Sequence, residues 1–459
     1  MLKRVYFIGA GGIGMAALER YFLSKGLTVA GYDRTPSNLT HDLEKEGVAI
    51  SYTDSVEEAV PEEFRTTSDE TLVVYTPAVP ADSAVMTFFR ENGFNTVKRA
   101  RALGHITENS KALCFSGTHG KTTTSSMAAH ILHENAVGCN AFLGGILLGY
   151  NTNLILSDTS PYTVVEADEY DRSFHQLRPY IAVVTATDPD HLDIYGTEEA
   201  YLESFARFTE LIRPDGKLLV HTGLKLKPRP APGVEVFTYS RHEGDYHADN
   251  IRRGDGRIVF DFVYPGGILR DIDLGVPVDI NIDNAIAALA ACHLTGELDM
   301  EAARRAVGSY PGVERRFQFH LREEGPRGRV IIDDYAHHPD ELSSSIDSVK
   351  ALFPGRHLTV VFQPHLYSRT RDFAPEFARA LSKADAVVLA DIYPAREEPI
   401  PGVTSEIIFD KISTKDKIMI LKDDFVNTVK NRNFDIVLTA GAGDLAFLVP
   451  QLVDEIKRQ

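Results

Sequence analysis

The sequence predicts an α/β protein of three domains, built on parallel sheets flanked by helices. Three observations lead there. Short β-branched runs alternate with amphipathic stretches from one end of the chain to the other. Two of those runs lead into glycine turns, Gly9-Ala10-Gly11-Gly12-Ile13-Gly14 and Gly117-Thr118-His119-Gly120-Lys121-Thr122-Thr123. The 459 residues exceed what one ordinary core holds, given a prior of about 150 residues per domain.

Taken in order, the expected strands include Val5–Ile8, Ala112–Ser116, Tyr162–Glu166, Ile181–Thr185, Val330–Ile332, Leu358–Phe362, Ala386–Ala390 and Ile436–Thr439. A helix is expected from Thr122 to about Glu134. From about Val234 to Leu274 the pattern turns to strands alone, with Gly266-Gly267 between two of them. This stretch reads as a small antiparallel insertion or flap, entered through the proline-rich Lys227–Pro232. Boundaries fall near Ile106–Lys111 and near Tyr310–Val313, where Pro311-Gly312 interrupts a helix. The expected domains are therefore 1–107, 108–311 and 312–459.

Composition narrows the class of function. A net charge of -17 repels polyanions, so neither nucleic acid nor an anionic membrane surface is an expected partner. Cys114, Cys139 and Cys292 are too far apart for a zinc or CxxC pattern and read as reduced thiols. The apolar run after Met1-Leu2-Lys3-Arg4 is too short for a signal peptide, and no run approaches the ~18 residues of a membrane span. The cytoplasm is the expected location.

The motif with the most chemistry is Gly117–Thr123. Its glycines let backbone N–H groups approach anionic oxygens, the following helix adds partial positive charge, and Lys121 adds a full one. The Thr122 hydroxyl is placed for Mg²⁺. Phe115 stands where the longer form of the motif has its first glycine, so this is the shorter GxxGKT form. The Gly9–Gly14 turn, with Asp33 nineteen residues after Gly14, fits a dinucleotide fingerprint. It fits a nucleotide-diphosphate substrate equally. Glu166-Ala167-Asp168-Glu169 ends a strand downstream of the phosphate loop, where a metal-holding carboxylate belongs. Asp190-His191-Leu192-Asp193 offers a histidine with flanking acids, a metal ligand or a structural histidine. In the last third, Arg315-Arg316, Asp333–Pro339 and His365–Asp372 cluster charge at strand ends, where open α/β sheets bind ligands and arginines suit phosphates and carboxylates.

In this order the motifs resemble those of the Mur ligases, the ATP-dependent amide-forming enzymes of peptidoglycan synthesis. The resemblance runs from Gly9 to Gly443 and is nearest to the alanine-adding branch. It implies a Rossmann-like N-terminal domain, a central P-loop ATPase-like domain carrying a small β insertion, and a Rossmann-like C-terminal domain. It implies ATP and Mg²⁺ as cofactors, UDP-N-acetylmuramate and L-alanine as substrates, and a monomer or homodimer. Gly11, Gly12, Ile13, Gly14 and Asp33 then match the UDP-sugar site rather than a nicotinamide site. Gly117, Thr118, His119, Gly120, Lys121, Thr122 and Thr123 match the ATP-phosphate loop. Thr122, Glu166 and His191 match magnesium ligands, and Asn281 and Asn284 an asparagine pair beside the adenine. Arg316 and Asp334 match contacts to the ATP phosphates and ribose. Tyr335, His337, His365 and Arg369 match positions around the muramyl carboxylate and the incoming alanine. Lys121, His191, Arg316, His337 and His365 are the expected catalytic residues.

Three positions depart from the family pattern. Ile280 replaces a histidine before Asn281, Leu366 stands where many alanine-adding relatives carry arginine, and Ala206 occupies the place of a carbamoylated lysine found in other branches. The expected reaction activates the lactyl carboxylate as an acyl phosphate, which the amino group of alanine attacks. The nearest alternative is the recycling branch, which joins a murein tripeptide to the same sugar. A nicotinamide-dependent oxidoreductase and a nucleotide-gated binding protein are the readings from other classes.

Overall fold

Strands that read as unbroken apolar runs are covered on both faces, and here they build three separate sheets. The computed structural model describes residues 2–80, 82–254, 256–323, 325, 328–395 and 397–458, with the side chains of Leu192 and Asp193 outside that description. The first sheet holds β1 (Arg4–Ile8), β2 (Thr28–Tyr32), β3 (Ala49–Ser51), β4 (Thr71–Tyr75) and β5 (Asn95–Lys98). Their order is β3-β2-β1-β4-β5, all parallel. The Gly9–Gly14 turn follows the central strand, and the helix Ile13–Ser24 leaves it.

The second sheet has ten strands. In chain order they are β6 (Lys111–Ser116), β7 (Asn140–Leu147), β8 (Thr152–Ile155), β9 (Tyr162–Glu166), β10 (Ile181–Val184), β11 (Lys217–His221), β12 (Glu235–Ser240), β13 (Tyr246–Gly254), β14 (Arg257–Tyr264) and β15 (Gly267–Asp273). Across the sheet they run β15-β14-β13-β12-β11-β10-β6-β9-β7-β8. The stretch read as an antiparallel insertion or flap is antiparallel only from β13 to β15. β12 lies parallel to β11, so the stretch extends the central sheet instead of standing off it. The cause is a long pairing, Lys217↔Glu235 to His221↔Tyr239, that the proline-rich connection leaves free to form.

The third sheet holds β16 (Gln318–Arg322), β17 (Val330–Asp334), β18 (Leu358–Phe362), β19 (Ala386–Ala390), β20 (Asp416–Ile420) and β21 (Ile436–Ala440), in the order β16-β17-β21-β18-β19-β20. β16 alone is antiparallel. The helix after the phosphate loop spans Lys121–His133. It packs against the helix Ile280–His293, whose alanine-rich faces allow close approach. Cys114, Cys139 and Cys292 are buried and unpaired. No helix among the described residues is long and apolar enough to cross a membrane.

Candidate active site

The phosphate loop needs glycine at two points. Gly117 has φ +138, and a Cβ there would lie 2.7 Å from the Ala186 nitrogen. Gly120 has φ +83, and its Cβ would lie 2.7 Å from Asn284 Oδ1. Both are left-handed or extended-positive conformations that L side chains resist. The loop is pinned from outside: the Thr118 N–H donates to Ala186 O at 3.1 Å, and its hydroxyl donates to Asp188 O at 2.7 Å. Thr185 Oγ1 donates to the His119 carbonyl. Lys121 folds back, donating to Gly117 O at 2.7 Å and to Glu169 Oε1 at 2.9 Å. Glu169 is nearly inaccessible at 1% exposure, so the lysine is its counter-ion. Burial raises the Glu169 carboxyl pKa, and the Lys121 charge opposes that rise.

Glu166 serves a different partner. It accepts the Gly144 N–H at 3.0 Å, and a Cβ on Gly144 would overlap its carboxylate. Burial raises the Glu166 pKa, while a hydrogen bond from Thr122, then the Lys121 charge, pull it back. Thr122 and Glu166 are thus brought together. His191 stands nearer Glu169, with Nε2 3.8 Å from Oε1, and nearer Asp190, at 3.7 Å from Oδ2. Its backbone is left-handed, φ 52, and its ring meets Tyr170 edge-on. No group of three His, Cys, Asp or Glu side chains gathers as a metal cage among the described residues. The flanking Asp193 side chain lies outside the described residues.

Asn281 and Asn284 are buried and satisfy one another. Asn284 Nδ2 donates to Asn281 Oδ1 at 2.9 Å, and Asn281 Nδ2 donates to Val276 O at 3.1 Å. Asn284 Oδ1 accepts from Thr124 Oγ1 at 3.1 Å. The pair therefore braces the phosphate loop from behind. Ile280 beside it is 54% exposed.

The C-terminal residues meet this site through the linker. Val313 bridges to Leu147, and Arg315 and Phe317 take φ 60 and 46. Arg315 turns inward, donating to Gly441 O at 2.7 Å and Gly443 O at 3.1 Å. Arg316 lies over the Tyr335 ring, at 5.5 Å, and makes no side-chain hydrogen bond among the described residues. Its charge lowers the pKa of Glu166 in the central domain and of Asp334 and His337 in the C-terminal one. Asp334 accepts from Phe317 N at 3.2 Å and from Ser345. Burial pushes its carboxyl up to about 6.

Tyr335, His337 and His365 line up by ring contacts of 5.2 and 6.1 Å. His337 Nδ1 lies 3.0 Å from Tyr335 O, and burial lowers its pKa against the pull of Glu341. Arg369 lies in the same group, and its buried Nη1 has no hydrogen-bond partner. Leu366 is buried, with its backbone at φ 70. In the first domain, Asp33 accepts the Gly11 N–H at 2.6 Å and the Thr35 N–H at 3.0 Å, and so shapes the turn. Gly12 and Gly14 lie in the turn itself, and Ile13 is 63% exposed there.

Sequence reading missed four participants. Glu169 holds Lys121, Gly144 seats Glu166, Arg315 anchors the linker, and Tyr393 stacks on His365 at 5.8 Å. Of these, Glu169 carried a signal as a second acid in the Glu166–Glu169 run, and Arg315 as the first residue of the Arg315-Arg316 pair, though not for the anchoring role it takes.

Comparison with known proteins finds relatives along nearly the whole chain. The Mur ligase family catalytic domain matches residues 4–111, the Mur ligase middle domain 115–292, and the Mur ligase glutamate ligase domain 315–443. A UDP-N-acetylmuramate–L-alanine ligase of Phocaeicola vulgatus is 56% identical over 452 residues, covering 98% of this chain and 97% of its own. One from Porphyromonas gingivalis is 51% identical over 451 residues, covering 98% of each. The crystal structure of the UDP-N-acetylmuramate–alanine ligase of Thermotoga maritima superposes with a TM-score of 0.77 at 25% identity over 99% of both chains. A murein peptide ligase of Psychrobacter arcticus shares the fold, with a TM-score of 0.61 at 19% identity over 100% of this chain and 99% of its own. With three family domains in sequence order and relatives above half identity end to end, the chain belongs to the Mur ligase family.

Proposed function

We propose that the chain uses ATP to join L-alanine to the lactyl carboxylate of UDP-N-acetylmuramate, releasing ADP and phosphate, in cytoplasmic peptidoglycan precursor synthesis. The observation that carries this reading is the Gly117–Thr123 loop with Lys121 held by Glu169 and Thr122 beside Glu166, in a chain whose full-length relatives at 51 and 56% identity carry the alanine-adding name. Arg316 packs over Tyr335 at 5.5 Å, in the group of Tyr335, His337, His365 and Arg369.

The cradle suits nucleotide phosphates, since Gly117 and Gly120 let the loop close against Thr185, Ala186 and Asn284 where a Cβ would not fit, in a backbone conformation that can turn N–H groups toward an anion. Thr122, Glu166 and His191 would hold Mg²⁺. Bound ATP and Mg²⁺ would supply the phosphoryl group and charge shielding that make an inert carboxylate open to attack by an amine. The protein does the rest. Lys121 and Arg316 offset negative charge on the transferring group. The free Nη1 of Arg369 pairs with the alanine carboxylate. His337, whose pKa burial lowers, accepts a proton from the alanine ammonium.

The recycling reaction has less behind it. Full-length relatives at 51 and 56% identity carry the alanine-adding name, whereas the murein peptide ligase shares only the fold. The test is phosphate release with UDP-N-acetylmuramate, ATP and Mg²⁺, comparing L-alanine, glycine, L-serine and murein tripeptide. L-alanine is expected to give the highest kcat/KM. Signal with tripeptide alone would replace this reading by the recycling one, and no signal with any amine would end both.

A further inference from the structure

The N-terminal turn is short of positive charge. Gly9 and Ala10 donate their N–H groups to Tyr32 O, and Gly11 donates to Asp33. That leaves the N–H groups of Gly12, Ile13 and Gly14, which open a helix and have no acceptor one turn back. Asp33 adds a carboxylate beside them. A diphosphate on this turn therefore needs a counter-charge from another segment.

Arg99 is that segment's contribution. It follows β5, so it emerges at the same end of the parallel sheet as the turn. Its guanidinium lies over Gly14: a Cβ there would be 2.8 Å from Nη1 and 3.3 Å from Cζ. In a dinucleotide fingerprint the last glycine lets helix and strand pack closely. Here the space above it is taken by an arginine. Arg99 is exposed and forms no hydrogen bond or ion pair with any described residue. Its neighbours in sequence and space are not so free: Arg101 pairs with Glu108 at 2.8 Å and Arg20 with Glu46 at 2.7 Å. Arg99 is thus an exposed cation seated on a glycine turn, with no acid holding it elsewhere.

We propose that Arg99 binds the diphosphate of the UDP-sugar on the Gly12–Gly14 turn, its planar guanidinium taking two phosphate oxygens. This rests on the UDP-sugar reading given above. Gly14 is then glycine because any side chain there would push the guanidinium off the turn.

The full-length chain is titrated calorimetrically with uridine, UMP and UDP at fixed salt, as wild type, Arg99→Ala and Arg99→Lys. Loss of a charge-assisted contact predicts UDP binding ~10- to 100-fold weaker in Arg99→Ala, with uridine binding unchanged and partial recovery in Arg99→Lys. In turnover, KM for the UDP-sugar rises while KM for ATP stays put. Unchanged UDP affinity in Arg99→Ala overturns the proposal, as does an equal loss for uridine and UDP, which marks a structural role. Wild type that binds none of the three overturns the UDP-sugar reading itself, and this proposal with it.

Discussion

Two residues make the site's chemistry most open to test. Gly144 is glycine because Glu166 lies where its Cβ would be. Gly144→Ala therefore unseats a carboxylate that would hold Mg²⁺, without touching the loop or the core. Displacing a metal-supporting group typically costs ~10- to 100-fold in metal affinity or activity. The expected outcome is a matching rise in the Mg²⁺ concentration needed for half-maximal phosphate release, with the melting temperature little changed. An unaltered Mg²⁺ dependence would remove Glu166 from the metal site. Asp334 gives a test by pH. A carboxyl raised to about 6 by burial binds protons more readily folded than unfolded. Its protonated form favours the fold at low pH, and that contribution is lost as pH rises through about 6. Asp334→Asn has nothing to lose there, and its Oδ1 still accepts from Phe317 N. The melting temperature of the variant minus that of wild type should climb from pH 4 to about 6 and then level off. A difference that is flat with pH would mean Asp334 titrates normally.

At the scale of elements, the helix Ile280–His293 is a brace for the phosphate loop. Asn284 receives the buried Thr124 hydroxyl and lies against Gly120. Asn284→Ala leaves the Thr124 hydroxyl and Asn281 Oδ1 without partners, at a cost of about 1–3 kcal/mol. Calorimetry should show that loss of stability together with a raised KM for ATP and an unchanged KM for the UDP-sugar. If only stability fell, the brace would have no bearing on the loop. The strands and the loop were legible in the sequence because both are local. Apolar runs of Ala112–Ser116 and Leu358–Phe362 announce buried strands, and Gly-Lys-Thr after a strand announces a phosphate loop. The brace was not legible, since Asn284 and Thr124 meet only through helix packing 160 residues apart. Nor was the division of labour between Glu166 and Glu169. They stand three positions apart, yet the ladder to β6 ends with the Ala167 N–H bond to Phe115 O, after which the chain turns away from the sheet. That turn sends one acid to Gly144 and the other to Lys121. The edge strands misled for a similar reason: hairpin patterning in β13–β15 is local, but the parallel pairing of β12 with β11 is not.

For the whole molecule, the question is how an activated carboxylate is kept from water. A cleft of about 420 Å³ separates Asp279 of the central domain from Asp340, Ser343 and Asp347 of the C-terminal one. Apart from the linker, the bonds across include Arg322 to Gly256 O at 2.8 Å and Gly256 N to Leu352 O at 3.3 Å. Such contacts are few enough to yield when ligand draws the domains together. The pivot can be located. Glu314 N bonds to Ile146 O at 2.9 Å, so the chain to that point moves with the central sheet. Arg315 O accepts from Tyr335 N at 2.7 Å, so the chain beyond it moves with the third sheet. Rotation falls between them, at a residue already held at φ 60. Proline at 315 fixes φ near about -65° and so redirects the C-terminal domain, whereas glycine accepts the native angle. UDP-N-acetylmuramate with a non-hydrolysable ATP analogue should reduce the radius of gyration of wild type and Arg315→Gly in X-ray scattering. Arg315→Pro should show no such fall and lose at least ~100-fold in kcat, the usual cost of misplaced reacting groups. A proline variant that compacts and turns over like wild type would move the pivot elsewhere, and a wild type whose scattering ignores both ligands would mean that water is excluded without closure.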